Sequence, residues 1–285
     1  MISAALKDKA FLSEVQNQIP PHDHFRLWWL GQSGFLIQWE TEHLLLDPYL
    51  SDSLTKKYHG TDKPHVRMSE RVVDPARLDF IDIATSSHNH TDHLDAETLC
   101  PLMEVNPNMN VLVPRANRLF AAQRLKVDDG RLAVIDAGES LRLGSFSLHA
   151  VPAAHEELEK DENGWHRFIG LVVKVGPWTI YHSGDTMLYE GMEELLRGFE
   201  IDLALLPING RKPERRVAGN LWGDEAAKLA DGIGASHVIP CHYDMFEFNT
   251  ETTELFEKTC RELQQHFTIL KGGETWVSTV LLEGR

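Results

Sequence analysis

The sequence predicts an α/β protein, one domain built from two similar layers of sheet and helix. Three observations carry this. Short apolar runs rich in β-branched and aromatic residues alternate with helical stretches. The second half repeats the β-rich opening and α/β continuation of the first. No change of composition marks a linker, so the domain is placed over residues 1–285, with residues 1–24 as an N-terminal helical extension.

Residues 2–17 mix apolar and charged positions as a short surface helix does, and Pro20-Pro21 ends it because proline cannot continue the hydrogen-bond ladder. Leu27-Trp28-Trp29-Leu30 and Phe35-Leu36-Ile37-Gln38-Trp39-Glu40 read as two strands about the turn Gly31-Gln32-Ser33-Gly34. A third strand, His43-Leu44-Leu45-Leu46, ends at Asp47-Pro48, which starts the sheet antiparallel. Residues 49–78 are polar and proline-punctuated, a loop of a length that is uncommon unless functional or flexible; a lid and a solvated connector are both open. Phe80-Ile81-Asp82-Ile83-Ala84-Thr85 is a buried strand, and Asp95 is a suitable N-cap for the helix after it. A strand at Val111-Leu112-Val113, a helix from Arg118 to Arg124, a strand at Leu132-Ala133-Val134-Ile135 and a turn and strand over Gly144 to Val151 follow.

In the second half, Ile169 to Val175 and Trp178-Thr179-Ile180-Tyr181 form a hairpin around Gly176-Pro177. Helices are expected over Glu190 to Arg197, Asp224 to Leu229 and Glu251 to Gln265, and strands over Ile201 to Leu206 and His237-Val238-Ile239.

Composition narrows the function classes. Lys+Arg 28 against Asp+Glu 43 gives a formal charge of -15, which disfavours nonspecific attraction to nucleic acid or to an anionic membrane. Cys100, Cys241 and Cys260 are too few and too scattered for a disulfide framework or a paired-cysteine metal site, which fits a reducing, cytoplasmic setting. The first nine residues lack the basic start and apolar run of a signal peptide, and no apolar stretch approaches the roughly 20 residues of a membrane-spanning helix. A soluble protein is expected, and a homo-oligomer is compatible with it.

The chemistry concentrates in Ser87-His88-Asn89-His90-Thr91-Asp92-His93, directly after the strand ending at Thr85. Neutral imidazoles and carboxylates are ligands of zinc and similar divalent ions. In extended backbone His88 and His90 project to the same side, leaving Asp92 and His93 to turn toward a second ion. Strand ends are the usual place for chemistry in α/β proteins. His155, Asp185 and His242 each follow a predicted strand as well. Taken singly they are ambiguous, since a histidine after a strand is more often a surface residue and an Asp after Gly a turn former. His149 and His182 are read as supporting or structural residues.

The spacing His88-x-His90-x-Asp92-His93 resembles the signature of the metallo-β-lactamase superfamily, whose fold is an αββα sandwich, two mixed β-sheets flanked by helices, with metal at one edge. That resemblance implies a dinuclear centre in which His88, His90 and His155 hold one ion, Asp92, His93 and His242 the other, and Asp185 bridges both. Two cations would lower the pKa of a shared water and polarise a substrate oxygen, with Asp92 orienting the water or accepting its proton. Leu27-Trp28-Trp29-Leu30-Gly31-x-x-Gly34, Tyr181-His182-Ser183-Gly184-Asp185 and Ile239-Pro240-x-His242-Tyr243-Asp244 are similar to the bacterial ascorbate-6-phosphate lactonase-like proteins, although the loops at 49–78 and 209–222 diverge from that branch. Manganese is the metal implied there. The nitrogen and oxygen donors, without cysteine, suit zinc, manganese or iron, with iron the less expected of the three.

The expected function is therefore a metal-dependent hydrolase of an ester or lactone, with a small anionic, phosphorylated sugar-acid lactone as the leading substrate class. A phosphodiesterase is the alternative among enzymes, and a noncatalytic metal-binding scaffold the alternative of another class. The basic run Arg211-Lys212-Pro213-Glu214-Arg215-Arg216 follows a strand on the side where the ligands emerge. From it Arg211, with Arg167 and Asn209, is expected to bind the anionic group of the substrate. A solvated loop whose charges pair with surrounding acids is the competing reading.

Overall fold

The structure is a computed structural model and describes residues 1–282; the last three residues of the domain placed over 1–285 lie outside the described residues. In chain order the first half contains α1 (Asp8–Asn17), β1 (Phe25–Gly31), β2 (Gly34–Trp39), β3 (Glu42–Leu46), α2 (Ser53–Lys57), β4 (Ile83–Thr85), α3 (Ala96–Val105), β5 (Asn110–Pro114), α4 (Arg118–Leu125) and β6 (Leu132–Ile135). The second contains β7 (Ser140–Leu143), β8 (Phe146–Pro152), β9 (Ile169–Val175), β10 (Trp178–His182), α5 (Met192–Arg197), β11 (Leu203–Pro207), α6 (Gly223–Gly232), β12 (His237–Cys241), α7 (Glu254–Leu263) and β13 (Thr275–Val277).

Two sheets form, one in the order β13-β1-β2-β3-β4-β5-β6 and one in the order β12-β11-β10-β9-β8-β7. Each is mixed. β1, β2 and β3 pair antiparallel, whereas β3 through β6 pair parallel; β8, β9 and β10 pair antiparallel, whereas β10, β11 and β12 pair parallel. The antiparallel start read from the hairpins and the repeat between halves both hold at this level.

Side-chain alternation makes the layers. Along β1, Phe25, Leu27 and Trp29 enter the core between the sheets, while Trp28 and Leu30 enter a second core under the helices. Leu44 and Leu46 against Leu45 on β3, and Leu112 against Val111 and Val113 on β5, divide the same way. A strand buried on both faces has no polar side, which is why these segments read as continuous apolar runs. Phe11, Leu12 and Val15 of α1 join the outer core, so the N-terminal helix is packed against the first sheet.

Three local expectations change. The strand placed over 80–85 is shorter, because Phe80 to Asp82 lie outside the ladder and β4 begins at Ile83. Residues 49–78 hold α2 and a 3-10 turn at Pro75–Arg77, with Tyr49, Leu50, Leu54, Val72 and Val73 buried. β13 was not anticipated; Trp276 is buried and pairs opposite Leu27, a long-range ladder that three residues of local pattern do not reveal. Among the described residues no helix is long and apolar enough to cross a membrane.

Candidate metal centre

The loops that leave the C-terminal ends of β4, β8, β10 and β12 meet at one edge of the two sheets. They bring together the predicted ligands: His88, His90, Asp92 and His93 after β4, His155 after β8, Asp185 after β10 and His242 after β12. The convergence of His88 and His90 comes from a bend and not from extended backbone, since β4 has ended at Thr85; their ring centroids are 4.6 Å apart.

Ligand-type atoms of His88, His90 and His155 lie within 4.8 Å of one another, as do those of Asp92, His93 and His242. Asp185 sits between the two groups. Its Oδ2 is 3.5 Å from His155 Nε2 and 3.3 Å from His242 Nε2, and its Oδ1 is 3.3 Å from His93 Nε2. Asp92 Oδ2 is 3.7 Å from His93 Nε2 and 3.6 Å from His242 Nε2. His88 Nε2, His93 Nε2 and Asp185 Oδ1 are buried without a hydrogen bond. Buried polar atoms left unpaired are costly, and three of them pointed at shared spaces fit a pair of divalent ions. The donor set is imidazole and carboxylate throughout, without thiolate.

Hydrogen bonds behind the ligands set the tautomers. Asp47, at the end of β3, accepts from His93 Nδ1–H at 2.6 Å, which leaves Nε2 as the nitrogen that faces the site. The same carboxylate accepts from the Ser87 backbone N–H at 2.9 Å and from the Ser87 hydroxyl. His155 Nδ1 donates to the Gly219 carbonyl at 2.9 Å. The Gln32 side-chain amide donates to Asp92 Oδ2 at 2.6 Å and lies 3.0 Å from His242 Nε2, while its backbone carbonyl accepts from the His242 N–H at 2.9 Å. Gln32 and His242 both adopt positive φ, 51° and 60°, so the β1–β2 turn and the loop after β12 are held against each other in strained backbone.

The electrostatics divide the imidazoles. Burial, aided by neighbouring imidazoles, pushes His88 well below the ordinary imidazole value and His90 down to about 4; burial also lowers His155. His93 moves the other way: burial opposes its charge, yet Asp185, Asp92 and Asp47 together raise it well above that value. Burial likewise opposes the Asp92 and Asp185 carboxylates, but His93 and His242 hold both below the usual range. Three sites are thus ready as neutral ligands, and one arrives with a proton to displace.

Above the centre opens a cleft of about 390 Å³. Its floor is His90, Asp92, His155, Asp185 and His242; residues 54–65 supply Leu54, Lys57, Tyr58 and His65 to its wall, with Arg124, Asn220, Phe246 and Phe248 around them. The segment 49–78 therefore borders the site. The residues expected to bind the substrate anion do not. Arg211 is held bidentately by Glu225 at 2.6 and 2.7 Å, and Arg167 pairs with Glu159 at 3.2 Å beside a separate hollow. Asn209 is fully buried behind the cleft, accepting from Asn220 at 3.0 Å. Lys212 and Arg215 both pair with Glu251, and Arg216 with Asp62 at 2.6 Å, so the basic run spends its charge on local acids and on clasping the loop at 62. His182 Nε2 donates to the Ser33 carbonyl and His149 contacts Ser140; neither reaches the cleft.

Asp47, Gln32, Lys57 and Arg124 were missed as site residues. Asp47 carried a usable signal, an acid at a strand end like the ligands themselves. Gln32 stood in a noted glycine turn, but nothing local linked it to His242, 210 residues away.

The beta-lactamase superfamily domain model matches residues 42–243 of the chain. A UPF0173 metal-dependent hydrolase of Saccharolobus solfataricus is 24% identical over 254 residues, 88% of this chain and 98% of that one. The fold is similar to that of an isothiocyanate hydrolase from Delia radicum gut bacteria (TM-score 0.70, 17% identity, 88% of this chain and 98% of that chain). It is similar as well to that of CmlA, a diiron β-hydroxylase from Streptomyces venezuelae (TM-score 0.65, 17% identity, 89% of this chain and 53% of that chain).

Proposed function

We propose, from the premise that this chain belongs to the beta-lactamase superfamily, that it is a metal-dependent hydrolase acting on the ester or lactone bond of a small anionic substrate. The observation that carries the reading is the convergence of seven imidazole and carboxylate side chains at one edge of the sheets, three of them with a buried, unpaired ligand atom and five of them lining an open cleft. The hydrolase names of relatives such as that of S. solfataricus support it.

His88, His90 and His155 would hold one ion and Asp92, His93 and His242 the other, with Asp185 between them; zinc and manganese are the first metals to test, and the donor set accepts iron as well. When bound, such ions polarise a scissile carbonyl and acidify water. The protein's part is placement and proton handling. Asp47 and the Gly219 carbonyl engage Nδ1 of His93 and His155, so Nε2 is the nitrogen that each turns to the site. Asp92, on the cleft floor and fastened by the Gln32 amide, would take a proton from the attacking water. Lys57 and Arg124 are the cations that border the cleft, so they replace Arg211 and Arg167 as partners for the substrate's anionic group. A phosphorylated sugar-acid lactone is the first member of the class to test. The aromatic residues Tyr58, Phe120, Phe246 and Phe248 around the cleft favour, as a second reading, a phosphodiester bearing a stacking group. The three free thiols support a cytoplasmic setting.

The test is elemental analysis of protein purified without added metal, then a lactone and phosphodiester panel with zinc, manganese or iron restored. Two ions per chain and chelator-sensitive turnover of one ester class are expected. Bound metal with no turnover of any ester would favour a noncatalytic scaffold. No bound metal would remove the centre.

A further inference from the structure

His65 stands in the cleft wall for no reason that the metal centre supplies. It belongs to none of the metal-type clusters among the described residues, yet only 8% of it is exposed and it lines the cleft. Aromatic rings enclose it. Tyr58 stacks on one face at 4.2 Å and 18°, while Phe248 at 4.5 Å and Phe246 at 5.1 Å meet it edge to face. A phenylalanine would fill such a cage without the cost of burying a polar ring.

The orientation of the imidazole is set. Nδ1 lies 2.9 Å from the Lys63 carbonyl, which can only accept, so Nδ1 carries the proton. The Thr55 hydroxyl donates to the carbonyl of His65 itself at 2.7 Å and fixes the backbone. In the neutral ring Nε2 then bears a lone pair. Among the described residues no hydrogen bond reaches that atom, and the cleft is the space the side chain borders. Burial favours the neutral form.

We propose that His65 is a specificity-determining residue of the cleft, its Nε2 accepting a hydrogen bond from a hydroxyl or N–H group of the substrate. The proposal rests on the hydrolase reading and deepens it: the substrate is a small ester or lactone that carries a hydrogen-bond donor beside the scissile group. A ring whose one proton is committed to Lys63 has none to give a leaving group, so the role is recognition and not general acid catalysis.

Two measurements on the zinc-loaded protein test this. Wild type is assayed on α-hydroxy-γ-butyrolactone and on γ-butyrolactone, and the ratio of kcat/KM favours the hydroxylated lactone by about tenfold, the worth of one hydrogen bond to a site group otherwise left unpaired. In His65→Phe, which keeps the cage, the ratio falls to about one. A wild-type ratio already near one, or a ratio that His65→Phe leaves unchanged, overturns the proposal. Nitrogen NMR of wild type at about pH 8, where an ordinary imidazole is neutral, expects protonated Nδ1 and bare Nε2 on His65, with the Nε2 resonance moving when the hydroxylated lactone is added. A proton on Nε2 overturns the proposal whether or not the variant folds. If neither lactone is turned over, the lactonase form of the functional reading fails, and the nitrogen spectrum still decides His65.

Discussion

Asp47 touches no space that a substrate could enter, yet the carboxylate decides which nitrogen His93 offers to the site. Asp47→Asn leaves the shape and removes the charge that holds the Nδ1 proton. Zinc affinity is expected to fall about 10- to 100-fold, read by titration against a competing chelator; an unchanged affinity would dismiss the role. The imidazoles also set a pH dependence in the metal-free protein. His88, His90 and His155 are depressed from 6.5 by burial, His90 to about 4, so below 6.5 the unfolded chain binds more protons and stability falls as pH falls. His93 is raised, so its contribution is complete below 6.5 and is lost as pH rises through its folded value. The metal-free melting temperature is therefore expected to peak near 6.5 and decline on both sides. Bound metal, which takes the place of the His93 proton, abolishes the alkaline decline. Melts of chelated and loaded protein across that range check it, and a metal-free melting temperature still rising in alkali would contradict the charged state of His93.

Between elements, the centre depends on how closely the end of β10 approaches the loop after β4. Gly184 has φ +60°, and a Cβ there would stand 2.7 Å from both Cβ and Oγ of Ser87 and 2.9 Å from the Ile169 carbonyl. Ser87 donates to Asp47, so a methyl group at 184 presses on the support of His93. Gly184→Ala is expected to destabilise the fold by more than about 1 kcal/mol and to lower metal content together with it, measured by denaturant unfolding and elemental analysis. Wild-type metal content in this variant would show that the two sheet edges are less tightly coupled. The hairpins, most helices and the strand-end position of every proposed ligand were legible because each rests on local pattern, period two or 3.6 and a turn residue. The substrate wall was not. Arg211 read as an anion binder because its sequence neighbours are basic, but Glu225, on α6, reaches it in space.

At the scale of the molecule, one continuous core from Phe25 to Leu281 spans both sheets, so the two halves share the apolar interior that holds their loops in register. Leu205, on β11, is fully buried in that core and is not one of the proposed ligands. Leu205→Ala is expected to cost about 2–5 kcal/mol and to leave metal stoichiometry at saturating zinc unchanged, read by the shift in denaturation midpoint beside elemental analysis. A loss below 1 kcal/mol would indicate that the second sheet packs loosely. The sequence alone determined the layered α/β class, the strands whose ends carry the candidate ligands and the residue types of those candidates, since burial pattern, turn chemistry and donor identity are written in neighbouring residues. Only the tertiary structure decided which atoms of those ligands face one another, that Asp47 and Gln32 stand behind them, and that Lys57, Arg124 and His65 border the cleft in place of Arg211 and Arg167. Those contacts join residues tens to hundreds of positions apart, and their geometry comes from how two sheets pack, which no local pattern encodes.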